Sequence, residues 1–133
     1  MSGAVELGRV WRRFLDAVEA GDAAAIGSCV SEEVTMFVPF NSTRDAVQGR
    51  AAVVALFGRV FAGAQRGPAI AIERFDCREL GPGSWFAESM VRLGNEWGRR
   101  TLLFCEQAGE WRIAHMHASN VVAVPSRLPF ALG

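Results

Sequence analysis

The sequence predicts an α+β domain in which N-terminal helices pack on one face of a curved, mostly antiparallel sheet. Helical hydrophobic patterns occupy the first half of the chain, whereas the chain after Pro68 reads as strands divided by glycine-containing turns. Helices followed by a run of strands are typical of α+β domains. At 133 residues the chain has the size of one ordinary domain. We therefore expect a single domain over 1–133, with a core at 5–121 and a C-terminal tail at 122–133.

The first helix is predicted over residues 4–20. Leu7, Trp11 and Phe14 belong to a set of apolar residues that recur every three or four positions, while charged residues occupy most of the opposite side. This pattern predicts an amphipathic helix that buries one face.

A joint between two helices follows directly. Gly21 can adopt the left-handed conformation that closes the first helix, and Asp22 can cap a short second helix that reaches Cys29. Residues 34–38 are apolar enough for a strand, and Pro39 ends it.

A third helix follows a polar loop at 41–48. Gly49 opens the helix, apolar residues such as Leu56 and Phe57 again show helical spacing, and Gly63 ends it. Four antiparallel strands complete the predicted fold, near 70–79, 84–93, 99–107 and 111–121.

Composition narrows the classes of partner. Fourteen basic residues balance fourteen acidic ones, so no excess of positive charge is present to bind nucleic acid or an anionic membrane. The N-terminal segment carries charges before any long apolar run, which fits neither a signal peptide nor a membrane span. The three cysteines are far apart and odd in number, which indicates reduced, mostly buried thiols. We expect a cytoplasmic protein.

The strands predict a homodimer. Segment 99–107 places Leu102 and Phe104 on one side and Leu103 and Cys105 on the other, so both sides carry apolar residues. A sheet with one solvent-exposed face would show a cleaner alternation of apolar and polar residues. A second copy that covers the outer face, related by a two-fold axis, is the simplest explanation.

The last strand carries two chemically different rows, because successive side chains of an extended chain point to opposite faces. One row favours a histidine-based catalyst and the other an apolar binding protein. The first row is Trp111, Ile113, His115, His117 and Ser119, and the second is Arg112, Ala114, Met116 and Ala118.

The order of these features resembles the nuclear transport factor 2-like superfamily over residues 5–121, and within it the SnoaL-like proteins, which include polyketide cyclases and ketosteroid isomerases. The resemblance implies a cone-shaped roll that encloses a pocket, with dimers packed through the outer sheet face. The features that carry the resemblance are Ala20-Gly21-Asp22, Pro39 after the first strand, Gly49-Arg50 and the closing run Trp111 to Ser119.

The residues that match the catalytic positions of ketosteroid isomerases differ from them. That branch implies a tyrosine at the position of Phe14, a carboxylate base at Val38, and a second acid near Thr101 or Leu102. None of these side chains supplies the acid or base that the isomerisation needs. The acid–base chemistry of the ketosteroid isomerases is therefore rejected, although the fold is similar.

The resemblance also implies which row of the last strand faces the pocket. In the isomerases and in the related kinase association domain, the residue before the serine of this motif faces inward, which here is Ala118. Ala114 and Met116 share its row and would line the pocket. The opposite row would lie in the dimer interface with two residues of the preceding strand, which gives the predicted interface Leu103, Cys105, Ile113, His115, His117 and Ser119.

Glu88 is the remaining candidate for an acid or base. It lies mid-strand among apolar residues, where a carboxylate is costly unless it is paired or protonated. If Glu88 faces the cavity, Phe86, Met90 and Arg92 face it too. The alternative is an ion pair with Arg100 or Arg112 on a neighbouring strand.

These observations favour a small-molecule-binding protein with a hydrophobic ligand, either a pure binder or a cyclase-type or isomerase-type enzyme that needs no cofactor and no metal. The alternative is a non-catalytic homodimerisation module with a vestigial pocket. The predicted ligand-binding residues are Trp11, Phe14, Met36, Val38, Asn41, Phe57, Phe86, Met90, Arg92, Leu102, Phe104, Met116 and Ala118.

Overall fold

Three helices and six strands make up the chain in the computed structural model, which describes residues 3–39, 44–63 and 69–122. The helices are α1 (Gly3–Ala20), α2 (Ala23–Cys29) and α3 (Arg50–Ala62). The strands are β1 (Val30–Phe37), β2 (Val47–Gln48), β3 (Ile70–Gly81), β4 (Ser84–Leu93), β5 (Glu96–Gln107) and β6 (Glu110–Val122).

The strands form one sheet in the order β2-β1-β6-β5-β4-β3. Strands β3 to β6 form an antiparallel meander, and β1 pairs with β6 in parallel. The helices pack on one face of this sheet, α1 against β3 and β6 and α3 against β1 and β2. The expected α+β roll with a curved, mostly antiparallel sheet is confirmed.

The helix joint forms as the sequence predicts. Gly21 has a φ of 69°, and its amide donates to the carbonyl of Val18 at 3.2 Å. The Asp22 carboxylate accepts a hydrogen bond from the amide of Ala25 at 3.0 Å, which caps α2. Cys29 ends α2, and β1 begins at the next residue rather than at 34.

Two connections between elements are shorter than the sequence indicates, and the strands differ from the prediction there. Strand β5 begins at Glu96 because the turn before it contains only Gly94 and Asn95. The predicted polar loop at 41–48 contains the short strand β2, whose Val47 pairs with Met36 of β1.

The core lies between the helices and the sheet face beneath them, which we call the inner face. Ala87, Leu102 and Met116 lie opposite one another on neighbouring strands of this face, and each is at most 3% exposed. The opposite face of the sheet, which we call the outer face, carries their neighbours in sequence. These are Glu88, Thr101 and His117, which also lie opposite one another.

A β-bulge in β6 changes which residues of this strand face inward. Leu103 pairs with His115, but Phe104 pairs with Ile113, so Ala114 is an extra residue in the ladder. Because of this extra residue, the residues of β6 before Ala114 point to the opposite faces from those that simple alternation predicts. Ile113 is accordingly fully buried on the inner face. The prediction that Ile113 lies on the outer face is therefore wrong, whereas His115 and His117 do lie there.

Helix α1 is attached to the sheet by polar contacts as well as by the core. The indole Nε1 of Trp11 donates to the Ser89 hydroxyl at 3.0 Å. Arg12 donates to the carbonyl of Ile70 at 3.0 Å, and Glu19 accepts from the amide of Ile70 at 2.6 Å. These contacts fix the height and the angle of α1 above β3 and β4.

Candidate functional site

Most of the predicted ligand-binding residues lie on the inner side of the sheet or on the helices that cover it. They are closely packed, since Trp11 stacks on Phe14 at 5.6 Å and Phe14 meets Phe57 edge-on at 6.3 Å between ring centroids. Each is at most 8% exposed, so their packing alone accounts for their burial, and a ligand-binding role stays a prediction. These residues are Trp11, Phe14, Met36, Val38, Phe57, Leu102, Phe104, Met116 and Ala118.

Three predicted ligand-binding residues of β4 point the other way. Phe86, Met90 and Arg92 lie on the outer face, because the alternate residues Ala87 and Val91 are fully buried under the helices. The prediction that Phe86, Met90 and Arg92 face a cavity beneath the helices is therefore wrong.

Glu88 also lies on the outer face and is exposed. It pairs with Asp76 on β3 and with Thr101 on β5, and it makes no ion pair with a described residue. The burial that would make Glu88 an unusual acid or base is absent. The alternative ion pairs are also not formed, since Arg100 lies on the opposite face and Arg112 pairs with Glu110 at 3.1 Å.

One predicted ligand-binding residue, Asn41, lies outside the described residues. Arg44, three residues after Asn41, is exposed and pairs with Asp45 at 3.3 Å.

Polar side chains interrupt the apolar inner face at one end of the sheet. Ser89 of β4 pairs with Arg100 of β5. Asn120 of β6 pairs with Gly98, which lies two residues before Arg100 on β5 and therefore on the same face. We call Ser89, Arg100 and Asn120 the inner polar cluster. Ser89 and Arg100 are only 5% and 9% exposed, so a charged group and a hydroxyl lie beside the core.

The guanidinium of Arg100 has acceptors around one of its three nitrogens. Nη1 lies 3.1 Å from the carbonyl oxygen of Arg99, 3.0 Å from that of Ser119, and 3.0 Å from Oδ1 of Asn120. No carboxylate of the described residues lies within ion-pair distance of Arg100. Burial lowers the pKa of Arg100 to about 10, so the group remains cationic at neutral pH.

A glycine makes room for this guanidinium. A Cβ at Gly98 would lie 2.8 Å from Nη1 of Arg100 and 2.6 Å from a methyl group of Val91. Such distances are shorter than real side chains adopt, so Gly98 is the residue that allows the guanidinium to lie flat on the strand.

Ser89 is already satisfied within the protein. Its hydroxyl accepts from Trp11 and donates to the carbonyl of Arg74 at 2.7 Å. Within the inner polar cluster, donors without a described acceptor therefore remain on Arg100 and on the side-chain amide nitrogen of Asn120.

The sequence contains a signal for the inward position of Arg100. Arg100 stands two and four residues before Leu102 and Phe104, so it shares the row that the sequence assigns to the inside. The predicted role of Arg100 was only that of an ion-pair partner for Glu88. A charged residue in an apolar row was the more informative observation.

The outer face carries the predicted interface residues other than Ile113. Leu103 is 37% exposed and Phe37, across β6, is 39% exposed, and the Phe37 ring lies 5.2 Å from that of His117. The His115 ring nitrogen Nδ1 lies 2.7 Å from the hydroxyl oxygen of Thr35. Cys105 and Ser119 are half-buried on the same face.

A groove of about 450 Å³ also lies on the outer face, and its walls are mainly charged and polar. Arg74 and Asp76 form an ion pair at its edge. Its lining residues from the outer face are Arg74, Asp76, Glu88, Met90, Arg99, Thr101, His117 and Ser119, and the inner-face residues Ser89 and Arg100 also border it.

The cysteines and acidic residues of the described chain offer no metal or redox centre. No group of three or more His, Cys, Asp or Glu residues with metal-binding geometry occurs within 3–39, 44–63 and 69–122. Cys29 is buried, whereas Cys77 and Cys105 are half-buried rather than buried as predicted. Burial raises the pKa of all three thiols, which keeps them protonated and weakly nucleophilic.

No helix in the described part of the chain is long and apolar enough to cross a membrane.

Helices on one face of a curved sheet, with the parallel β1–β6 pair beside an antiparallel meander, define a nuclear transport factor 2-like protein. Within that superfamily the chain belongs to the SnoaL-like domain family, whose model matches residues 9–125. The predicted resemblance is confirmed. No curated protein matches the chain in sequence.

Solved structures show the same fold at low sequence identity. An NTF2-like protein of unknown function from Pseudomonas putida KT2440 is 16% identical with a TM-score of 0.75, over 98% of this chain and 95% of that one. A provisionally assigned calcium/calmodulin dependent protein kinase II association domain from Xanthomonas campestris is 15% identical with a TM-score of 0.70, over 90% and 88%. A provisionally assigned aromatic ring hydroxylase from Novosphingobium aromaticivorans is 13% identical with a TM-score of 0.75, over 90% of each chain. Such distant likeness shows the fold alone.

Proposed function

We propose that this chain binds a small organic molecule at the inner face, beside the inner polar cluster. The observation that carries the proposal is the burial of Arg100, which is 9% exposed, next to an apolar core. Small-molecule sites are mostly apolar and contain a few polar groups that orient the ligand. Trp11 and Val91, which are both fully buried, pack next to the cluster and make its surroundings apolar.

Catalysis is not part of this proposal. The positions of the isomerase acids and base hold Phe14, Val38 and Thr101 or Leu102, and Glu88 is exposed on the other side of the sheet. A binding protein needs no acid or base, and Arg100 has donors that no described residue accepts.

Native mass spectrometry of the purified full chain tests the proposal. We expect a discrete added mass that persists under gentle conditions and disappears on denaturation, because a ligand held beside a buried cationic group dissociates slowly. Thermal unfolding should then show a higher midpoint when the extracted molecule is added back to the stripped protein. A protein that carries no added mass, and that no compound of a broad small-molecule panel stabilises, would contradict the proposal.

A second proposal concerns the outer face, which we infer packs against a second copy of the chain. The exposure of Phe37 and Leu103 supports it, since both are large apolar side chains that lie on this one face, on the two strands that flank β6. Charges of both signs, Arg74, Asp76 and Glu88 among them, lie on the same face. Mixed charges suit a two-fold contact, in which each patch meets its own copy. Homodimerisation is compatible with ligand binding and is also what the non-catalytic alternative requires.

A further inference from the structure

The unused donors of Arg100 lie on one edge of its guanidinium. Nη1 contacts three oxygens, whereas Nε and Nη2 donate to no described residue. Covalent geometry places the Nε–H bond and one Nη2–H bond parallel, as a two-pronged fork. This fork is the edge that binds both oxygens of a carboxylate at once.

The electrostatic setting favours an anion at that edge. Arg100 is the cationic side chain that the described strands place on the inner face, because Arg74, Arg92, Arg99 and Arg112 lie on the outer face. A buried cation without a counter-charge is unfavourable, and an anion that reaches it gains from the low local dielectric.

The number of charges distinguishes among anions. One guanidinium neutralises one negative charge, so a carboxylate leaves the site neutral. A phosphate dianion would leave an uncompensated negative charge beside the core, and the described inner face offers no second cation to balance it.

We propose that the fork formed by Nε and Nη2 of Arg100 binds the carboxylate of an organic acid whose apolar body extends from the inner polar cluster. The inference rests on the proposed small-molecule function and specifies its ligand class. Gly98 and the acceptors around Nη1 hold the guanidinium flat so that its free edge remains available.

Matched acid and amide probes test the inference on the full chain. Benzoate, cinnamate and 2-naphthoate are each compared by calorimetric titration with the corresponding primary amide, which has a similar shape but no charge. We expect at least one acid to bind at least about tenfold more tightly than its amide, as charge-assisted bidentate hydrogen bonds predict.

Two variants separate the site from general charge effects. Arg100→Gln should reduce the affinity for the acid at least about tenfold and leave the affinity for the amide nearly unchanged. Arg99→Gln removes the same charge from the adjacent residue, which is exposed on the outer face, and should not change the affinity for the acid.

A spectroscopic measurement keeps the test independent of variant folding. The ¹H–¹⁵Nε resonance of Arg100, assigned through bonds from its backbone in the wild-type protein, should shift when the acid is added and stay in place with the amide.

The possible results distinguish the inference from the function on which it rests. Acids and amides that bind equally, or acid binding that survives Arg100→Gln, would overturn the carboxylate inference and leave the small-molecule function standing. If no probe binds, the carboxylate inference is overturned. If the protein also fails the native mass and panel test, the small-molecule function is overturned as well.

Discussion

Arg100 occupies a position that costs stability in the free protein. Its charge is desolvated, which lowers its pKa to about 10, and no described carboxylate compensates it. Residues that reduce the stability of a fold are often retained for binding or catalysis. Removing the charge is therefore expected to change stability in the opposite direction from a typical core mutation.

Arg100→Met should raise the free energy of unfolding of the ligand-free protein by about 1 kcal/mol, since an apolar side chain of similar length replaces a buried charge. The pKa of Arg100 is lowered on folding, so the folded protein binds its proton more weakly than the unfolded chain does. The cost is thus fully present at neutral pH and is relieved only as the pH rises through about 10. Urea unfolding at pH 7 measures the difference. A loss of more than about 1 kcal/mol would show that the guanidinium stabilises the sheet instead.

Gly98→Ala tests whether the position of the guanidinium matters as well as its charge. The new Cβ would lie 2.8 Å from Nη1 and 2.6 Å from Val91, so the guanidinium must move. We expect the preference for acid over amide to fall at least about threefold while Arg100 keeps its charge, because the fork is no longer aligned. Calorimetry measures the preference, and an unchanged preference in a folded Gly98→Ala protein would contradict the positioning role.

At the scale of elements, tight turns set the pairing of neighbouring strands, and close contacts set the distance between helices. The turn between β5 and β6 contains Ala108 at a φ of 52° and Gly109 at 79°. Positive φ values at both central residues are typical of a type I′ hairpin turn, which favours asparagine followed by glycine. Alanine is strained in this conformation.

Ala108→Asn should therefore stabilise the protein by about 0.5–1 kcal/mol, because asparagine tolerates the left-handed region better than alanine does. Thermal unfolding should show a midpoint raised by roughly 2–5 °C. Ala108→Val is the matched control and should lower the midpoint, since a β-branched residue is disfavoured at positive φ. Equal midpoints for the two variants would rule out this account of the turn.

Helices α2 and α3 touch through Gly27, where a Cβ would lie 2.7 Å from a methyl group of Val54. Gly27→Ala should destabilise the protein by about 1–3 kcal/mol through overpacking. The double variant Gly27→Ala with Val54→Ala should recover part of that loss, because the clashing methyl group is removed. Chemical denaturation of the four proteins measures the coupling, and strictly additive losses would show that the two residues do not compete for space.

At the scale of the whole molecule, the sheet separates two surfaces with different roles. The inner face holds the core and the inner polar cluster, and the outer face holds exposed apolar residues and a charged groove. We propose ligand binding for the inner face and self-association for the outer face. A substitution on one face should therefore abolish one of these properties and leave the other intact.

Leu103→Glu should convert a dimer into a monomer, because it places a charge in the centre of the proposed contact. Light scattering after size exclusion should give about twice the 14.4 kDa chain mass for the wild type and the single-chain mass for Leu103→Glu. Val5→Glu is the control, since Val5 is 55% exposed on α1, on the helix side of the sheet, and should leave the dimer intact. A monomeric wild-type protein would refute the outer-face interface.

Local chemistry accounts for how much of the fold could be predicted. The spacing of Leu7, Trp11 and Phe14, the helix joint at Gly21 and Asp22, and the strand-forming second half depend on interactions between residues close in sequence. Propensity and periodicity describe such interactions well. The α+β class and the resemblance to SnoaL-like proteins followed from their order.

Tertiary packing decided the remaining questions. Alternation divides β4 into two rows but does not say which row is inside, and the contact between Trp11 and Ser89 decides it. A single extra residue, Ala114, reverses the orientation of Ile113, and nothing local marks it.

The sequence by itself determined the order and type of the elements, because hydrophobic periodicity, caps and turn residues act locally. Only the tertiary structure decided which face of β4 meets the helices, and hence that Glu88 is exposed on the outer face. The physical reason is that pairing register and β-bulges determine which side chains of a strand point towards the helices. Both are set by partner strands that are distant along the chain.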